Sequence, residues 1–367
     1  MGTKKENTVI RVLFRFSLAF LLLQPYACRE KDAIPNVFPD PQLPVWYYWK
    51  TTLQLSARER ALLDSMQCRH VYVKIEDVGG DAETLAQLAI PDTARLSGLH
   101  LEPVIFIANN SFKNRSSEAL ERLAQAHAAS FKSCAARWPQ YFGNKPERVQ
   151  IDCDWTPSTK NTFFQYLKIL KTHLPAATKL GITLRLHQYR DPEGTGIPPA
   201  DFAVLMAYNT GNISDWEEEN SILKLSDLRA YLHQRGDYPL PLRWALPLFE
   251  WTLVYRADEL WKIIPQTTNW KDTEKFRPIA VSAPGTCRRF EVISGTFVAG
   301  HYLRPGDLLR CEKISPETLQ QAADLLRSQS DLKAAAPCFF TLDSSTAAQN
   351  SAQMLELLWK KEPGDIH

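Results

Sequence analysis

The stretch RVQIDCDWT, residues 148–156, decides how the rest of the chain is read. In an extended strand, alternate side chains share a face. Gln150, Asp152, Asp154 and Thr156 therefore point one way, and Val149, Ile151 and Cys153 the other. The second set suits an apolar layer. The first set places two carboxylates side by side, which costs hydration and opposes like charges. Strands ordinarily avoid Asp. Two readings compete. The acids form a polar strand end that caps the next helix or meets an arginine, or they belong to a site whose chemistry needs the pair.

On both sides of this stretch, short apolar runs alternate with helical ones. Strands are predicted at residues 45–49, 70–75, 103–107, 149–152, 181–186, 202–207, 244–248 and 339–342. Ser56-Ala57-Arg58-Glu59 is a capping box opening a helix to about Gln67. Helical periodicity runs over residues 116–138 and 159–173, and a last helix is expected through about Lys360. Eight strand–connection units favour a (β/α)8 TIM-type barrel over an open doubly wound sheet. No glycine-rich phosphate turn follows the first strand, which weakens a dinucleotide-binding reading. Residues 282–313 break the alternation. Their run FEVISGTFVAGHYL, with Gly at both breaks, predicts a small β-rich insertion between the seventh and eighth strands.

The N-terminal residues bear on location. Lys4, Lys5, Arg11 and Arg15 precede the apolar run FSLAFLLL, residues 16–23. A spanning helix needs about 20 apolar residues, so this run reads as a secretory signal. The junction ending in Ala27-Cys28 resembles a bacterial lipobox, although Pro25 and Tyr26 depart from it. The expected organisation is a signal peptide at 1–27, a lipidated Cys28 with a Pro-rich tether over 28–44, and a barrel over 45–367. Plain secretion, with Cys28 an ordinary thiol, is the alternative. No later apolar span is expected, so membrane contact is by the anchor alone. The expected location is the cell envelope, with its periplasmic or surface face left open.

Composition narrows the function classes. A formal charge of +2 gives no electrostatic footprint for nucleic acid. Ten Trp and 11% aromatic residues suit a large core or a sugar-stacking cleft. Cys68, Cys134, Cys153, Cys287, Cys311 and Cys338 form no CxxC or Cys/His ligand spacing, so neither a metal nor a cofactor is expected. In an oxidising compartment Cys287 and Cys311 could pair. The other four read as small buried thiols. The expected state is a monomer with a polar small-molecule or glycan partner.

Barrel enzymes place their chemistry at the C-terminal ends of the strands. Here those ends carry Glu76-Asp77, Asn109-Asn110, Asp152 and Asp154, Arg185 with His187 and Gln188, Tyr208-Asn209, Glu250-Trp251, and Asp343. Polar loops explain any one ending, but less well all of them together. His187 reads equally as a hydrogen-bonded neutral imidazole or a proton carrier. Arg185 is expected to pair with Asp152 and keep it ionised. Trp251 is a core residue or a flat face for a sugar ring. Glu250 is a solvated acid or a catalyst. Tyr208 places its hydroxyl at a strand tip.

Taken together, these residues resemble a known family. DCDWT (Asp152 to Thr156) is similar to the DxDxE strand of family-eighteen chitinases and related endoglycosidases. LMAYN (Leu205 to Asn209) is similar to their Met-x-Tyr-Asp motif, and ALPLFEW (Ala245 to Trp251) to their seventh strand. More closely, the region from about Pro44 to Lys360 resembles a group of lipoproteins of the Bacteroidota type, through YYWKT, QIDCDWT, TLRLHQ, LMAYNTG and YPLPLRWALPLFEW. That likeness implies an envelope lipoprotein but no particular activity. The chitinase resemblance implies that Asp152 and Asp154 are the supporting carboxylates that orient a substrate N-acetyl group, and that Tyr208 hydrogen-bonds it. Where the family carries its general acid this chain has Thr156, and Asn209 replaces the family's Asp. Two functions follow as expectations. One is a glycoside hydrolase-like enzyme using Asp152, Asp154 and Tyr208, with Glu250 or Asp77 as a relocated acid. The other is a glycan-binding or envelope-interaction barrel that has lost hydrolysis. In either, Asp77, Asn109, Arg185, His187, Asn209, Trp251 and Asp343 are candidate substrate contacts. A metal-dependent hydrolase built on Asp152, Asp154 and His187 is weaker, because no HxH or HExxH spacing supports it.

Overall fold

A computed structural model describes residues 38, 41–233, 237–265, 270, 272–279 and 287–358. The expected signal segment and Cys28 lie outside the described residues. Eight parallel strands close on themselves: β1 (Val45–Tyr48), β2 (His70–Val78), β4 (His100–Ile107), β5 (Arg148–Asp152), β6 (Lys179–Arg185), β7 (Phe202–Met206), β8 (Leu242–Pro247) and β16 (Cys338–Phe340). β16 pairs with both β8 and β1, and β1 with β2, which completes the ring. This is the predicted TIM-type barrel.

The alternation read in residues 148–156 organises its two layers. Val149, Ile151 and Cys153 pack outward with Phe163, Tyr166, Leu167 and Leu170 of the Lys160–His173 helix. Inside, Tyr47, Tyr72, Val104, Val204, Ala245 and Cys338 fill the lumen. Gln150 also lies inside and accepts a hydrogen bond from the Tyr47 hydroxyl at 2.6 Å. The capping box forms as expected. Ser56 Oγ accepts from the Glu59 N–H at 3.2 Å, and Glu59 Oε2 accepts from the Ser56 N–H at 2.6 Å.

Fully buried Arg243 sits at the floor, its guanidinium 5.0 Å from the Phe38 ring and donating to the Leu43 carbonyl at 3.2 Å. Ala336 donates its N–H to the Pro41 carbonyl at 2.6 Å. The described end of the Pro-rich stretch is therefore packed against the barrel, where an extended tether was expected. Proline fixes the local backbone, and a buried aromatic then holds it.

Three further differences have local causes. After β2 the chain returns as an antiparallel strand, β3 (Thr84–Gln87). Its TLAQ sequence is largely exposed and has no alternation to read. The final helix is two short ones, Ser344–Gln349 and Ala352–Glu356, broken where Ser351 caps the second. The insertion is larger than residues 282–313. It starts with β9 (Trp251–Arg256) and β10 (Glu259–Pro265), and continues through β11 (Phe276–Ile279), β12 (Cys287–Val292), the hairpin β13 (Thr296–Val298) and β14 (His301–Leu303), and β15 (Leu308–Glu312). The β9–β10 turn is Ala257-Asp258, both at positive φ (50° and 62°). Such turns usually announce themselves with Asn-Gly, and this one does not.

In the insert, a five-stranded sheet buries Val254, Phe276, Phe290, Leu309 and Cys311 on one face. The other face docks on the loop after β7. There Arg310 Nε meets Glu312 Oε1 at 2.6 Å, both side chains fully buried. Glu312 Oε2 accepts from the Ser221 N–H (3.0 Å), Ser221 Oγ (2.7 Å) and Trp251 Nε1 (2.8 Å). Arg310 also donates to the Asp215 carbonyl. The expected Cys287–Cys311 pairing does not occur, and both thiols are free. Cys287 stands opposite Glu312 and Cys311 opposite Arg288, so the two side chains leave opposite faces of the sheet.

Candidate functional site

The parallel register of β5 on β6 decides the partners of the two acids. Ile151 stands beside Ile182, which places Thr183 beside Asp152 and Arg185 beside Asp154. Thr183 Oγ1 donates to Asp152 Oδ1. Arg185 grips Asp154 through both Nε and Nη2. The expected Arg185–Asp152 pair is therefore corrected: Arg185 stands one step higher than Asp152, level with Asp154. Asp152 has the neutral Thr183 hydroxyl in place of the arginine. Burial pushes its carboxyl up to about 6, the Asp154 charge adds to this, and Thr183, Arg185 and Lys74 oppose it. Asp154 opens to solvent, with 44% of its side chain exposed, as is 25% of Arg185.

Tyr208 is buried beyond the end of β7. Its ring stacks on Phe340 at 5.5 Å and meets Phe249 edge-on at 5.9 Å. Burial, then the nearby Asp152 charge, raise its hydroxyl well above the usual range, so it stays a hydrogen-bond donor. Across the lumen Lys74 Nζ binds Asp77 Oδ2 at 2.6 Å and lies 5.4 Å from the Trp49 ring centre. Trp49 in turn meets Phe106 and Phe340. Trp49, Phe106, Phe249 and Phe340 are half-buried, as is Trp251, so the mouth is an aromatic basin with acids on one wall.

Other candidates are distributed differently. Asn109 Oδ1 accepts from Thr159 Oγ1 at 2.5 Å, and Asn109 Nδ2 donates to Thr156 Oγ1 at 3.3 Å. Thr156 thus belongs to a neutral hydroxyl–amide network at the start of the Lys160–His173 helix. His187 is exposed on a short helix, Leu186–Arg190, that ends β6 earlier than expected. Its pKa is lowered by partial burial first and by Arg185 second. Asn209 adopts φ 56° and donates its N–H to the Ile222 carbonyl at 2.6 Å, holding a turn. Asp343 caps the Ser344–Gln349 helix, accepting from the N–H groups of Ser345 (2.9 Å) and Thr346 (2.8 Å). Glu250 accepts from Gln349 Nε2 at 3.3 Å and lines a cavity of about 410 Å³ with Arg288, Lys313 and Asn350. Trp251 opens the insert and packs on Phe249 at 5.3 Å. Glu76, named with Asp77 at the strand end, faces away from the lumen. Among the described residues no cluster of three His, Cys, Asp or Glu could hold a metal ion.

Sequence reasoning missed Lys74, Trp49, Phe106, Phe249 and Phe340. Parity could have found four of them. Lys74, Trp49, Phe106 and Phe340 each lie two residues after an inward residue: Tyr72, Tyr47, Val104 and Cys338.

The arrangement is a closed (β/α)8 barrel with a polar and aromatic mouth and a β-rich insert before the last strand. Solved structures share the barrel fold. A chitinase from Chromobacterium violaceum ATCC 12472 superposes with TM-score 0.50 at 12% identity, covering 88% of this chain and 100% of that one. The spore cortex-lytic enzyme SleL of Bacillus cereus gives 0.52 at 13%, covering 86% and 73%. SleL of Bacillus megaterium QM B1551 gives 0.52 at 12%, covering 88% and 74%. No family model and no curated protein matches the sequence. At these identities the likeness is one of fold, and chemistry has to be argued from the site.

Proposed function

We propose that this barrel recognises a polar or N-acetylated glycan at its mouth without hydrolysing it. Its place would be the cell envelope, as a lipoprotein anchored through Cys28 like the Bacteroidota-type lipoproteins it resembles. The observation that carries the reading is the state of Thr156. At the position of the chitinase general acid stands a hydroxyl tied to Asn109 and Thr159. The two acids expected to stand in for it have other partners: Asp77 has Lys74 and Glu250 has Gln349. The recognition half fares better. Asp154 and Arg185 present a polar rim, Tyr208 a donor, and Trp49, Phe249 and Phe340 flat apolar faces for sugar rings. Cortex-lytic enzymes and chitinases among the fold neighbours make a glycan the natural ligand class.

Calorimetry with N-acetylglucosamine oligomers tests binding. The wild type is expected to bind without forming product, and Trp49→Ala is expected to weaken binding about tenfold or more. Absence of binding by any envelope glycan removes the carbohydrate reading. Thr156→Glu is expected to introduce slow hydrolysis, since a general acid contributes ~10²–10⁴-fold. Mass spectrometry of the mature N-terminus tests the anchor: a chain starting elsewhere than a lipidated Cys28 removes it.

One observation favours a second reading. Asp152, pushed up to about 6, holds a proton further into the neutral range than an ordinary carboxyl. An acid so tuned can serve glycoside cleavage. Wild-type hydrolysis that falls above pH 6 and disappears in Asp152→Asn would establish that reading in place of the first.

A further inference from the structure

β2 carries a bulge. Its register steps from Lys74 opposite Val104 to Glu76 opposite Ile105, skipping a residue. Without the bulge, Tyr72, Lys74 and Glu76 would all face the lumen. With it, Asp77 takes the inward place and Glu76 turns out beside Ile75. Bulges commonly re-aim a side chain in this way.

Re-aimed, Glu76 is only 3% exposed. Its Oε1 accepts from Thr84 Oγ1 at 2.6 Å, while its buried Oε2 has no hydrogen-bond partner. It faces a cavity of about 280 Å³ bounded by β2, β3 and the Ser117–Arg137 helix, with Gln87, Leu88, Ser130, Ser133 and Trp138 among its walls. A buried carboxylate with one oxygen unsatisfied and a single neutral donor on the other is costly. The neighbouring His127 does not compensate it. Burial lowers that imidazole to about 4, so it is neutral, and its Nδ1 is engaged with the Tyr166 hydroxyl at 2.7 Å.

We propose that this cavity binds a small molecule through a primary ammonium group, with Glu76 as its counter-ion and the Ser130 and Ser133 hydroxyls as further acceptors. The volume is at the lower end for ligand pockets, which limits the guest to about a dozen heavy atoms. Leu88 and Trp138 suit a short alkyl portion. Arg137, lining the cavity and stacked on Trp138 at 4.5 Å, opposes a second positive charge. The guest is therefore a monoamine. The site is separate from the barrel mouth and does not depend on what binds there.

Calorimetry and thermal melts with n-butylammonium, using 1-butanol as the uncharged control, test the proposal. The wild type is expected to bind the amine saturably and to ignore the alcohol. Glu76→Gln is expected to weaken amine binding at least tenfold, and Ala129→Leu, which fills the cavity from the helix, to abolish it. No saturable binding to the wild type overturns the proposal, and so does equal binding by a folded Glu76→Gln. Should Glu76→Gln fail to fold, undiminished binding by Ala129→Leu overturns it.

Discussion

Thr183 and Arg185 divide the strand acids between them, and the division changes what each substitution should do. Asp152 holds its proton more tightly when folded, at about 6 against 3.8 unfolded, chiefly because it is buried. The native state therefore binds more protons between pH 4 and 6. Stability contributed by this group falls as pH rises through that window, and the cost is complete above it. Asp152→Asn, which still accepts from Thr183, is expected to be more stable than wild type by about 1–3 kcal/mol at pH 8 and to lose the advantage near pH 4. Denaturant melts at both pH values measure this, and a less stable variant at pH 8 would refute it. Asp154→Asn breaks an ion pair whose carboxylate is 44% exposed, so its cost is expected to stay within ~1 kcal/mol. Both acids were legible in the sequence as a shared face. Their partners were not, because a parallel register belongs to two strands and cannot be read from either one.

Among the elements, regular ones were read correctly and irregular ones escaped. The Ser56–Glu59 box, the Phe163–Leu170 stripe and the alternation of β5 each follow from a single local period. Removing the cap with Ser56→Ala is expected to cost ~1 kcal/mol, read as a shift in the unfolding midpoint. The β9–β10 hairpin was missed because Ala257 and Asp258 both take a conformation that L residues disfavour. Replacing them with Asn and Gly should relieve that strain and raise stability by about 1 kcal/mol. An unchanged or lower melting temperature would show that the turn is not strained. The β2 bulge was likewise invisible, since a sequence that alternates says nothing of where the alternation skips.

For the whole molecule, the barrel class was legible because eight apolar strands recur with polar tips. The size of the insert was not. Its polar face is satisfied by a distant loop rather than by neighbouring residues. Glu312→Gln leaves Arg310 buried without its counter-charge and is expected to cost ~3–5 kcal/mol, with early exchange of the β9 and β15 amides. Of the six cysteines from Cys68 onward, only Cys287 is half-exposed. Native thiol titration should label it first, and reducing agent should not shift the melting temperature.

The buried Arg310–Glu312 pair also bears on the kinetics of any guest at the mouth. Glu312 fixes the Trp251 indole, Trp251 packs on Phe249, and Phe249 on Tyr208. A basin braced in this way is already shaped before a guest arrives, so little ordering remains to be done on contact. Association with a glycan should then be a single phase whose observed rate rises in proportion to concentration and shows no plateau, because no slow closing step stands between encounter and complex.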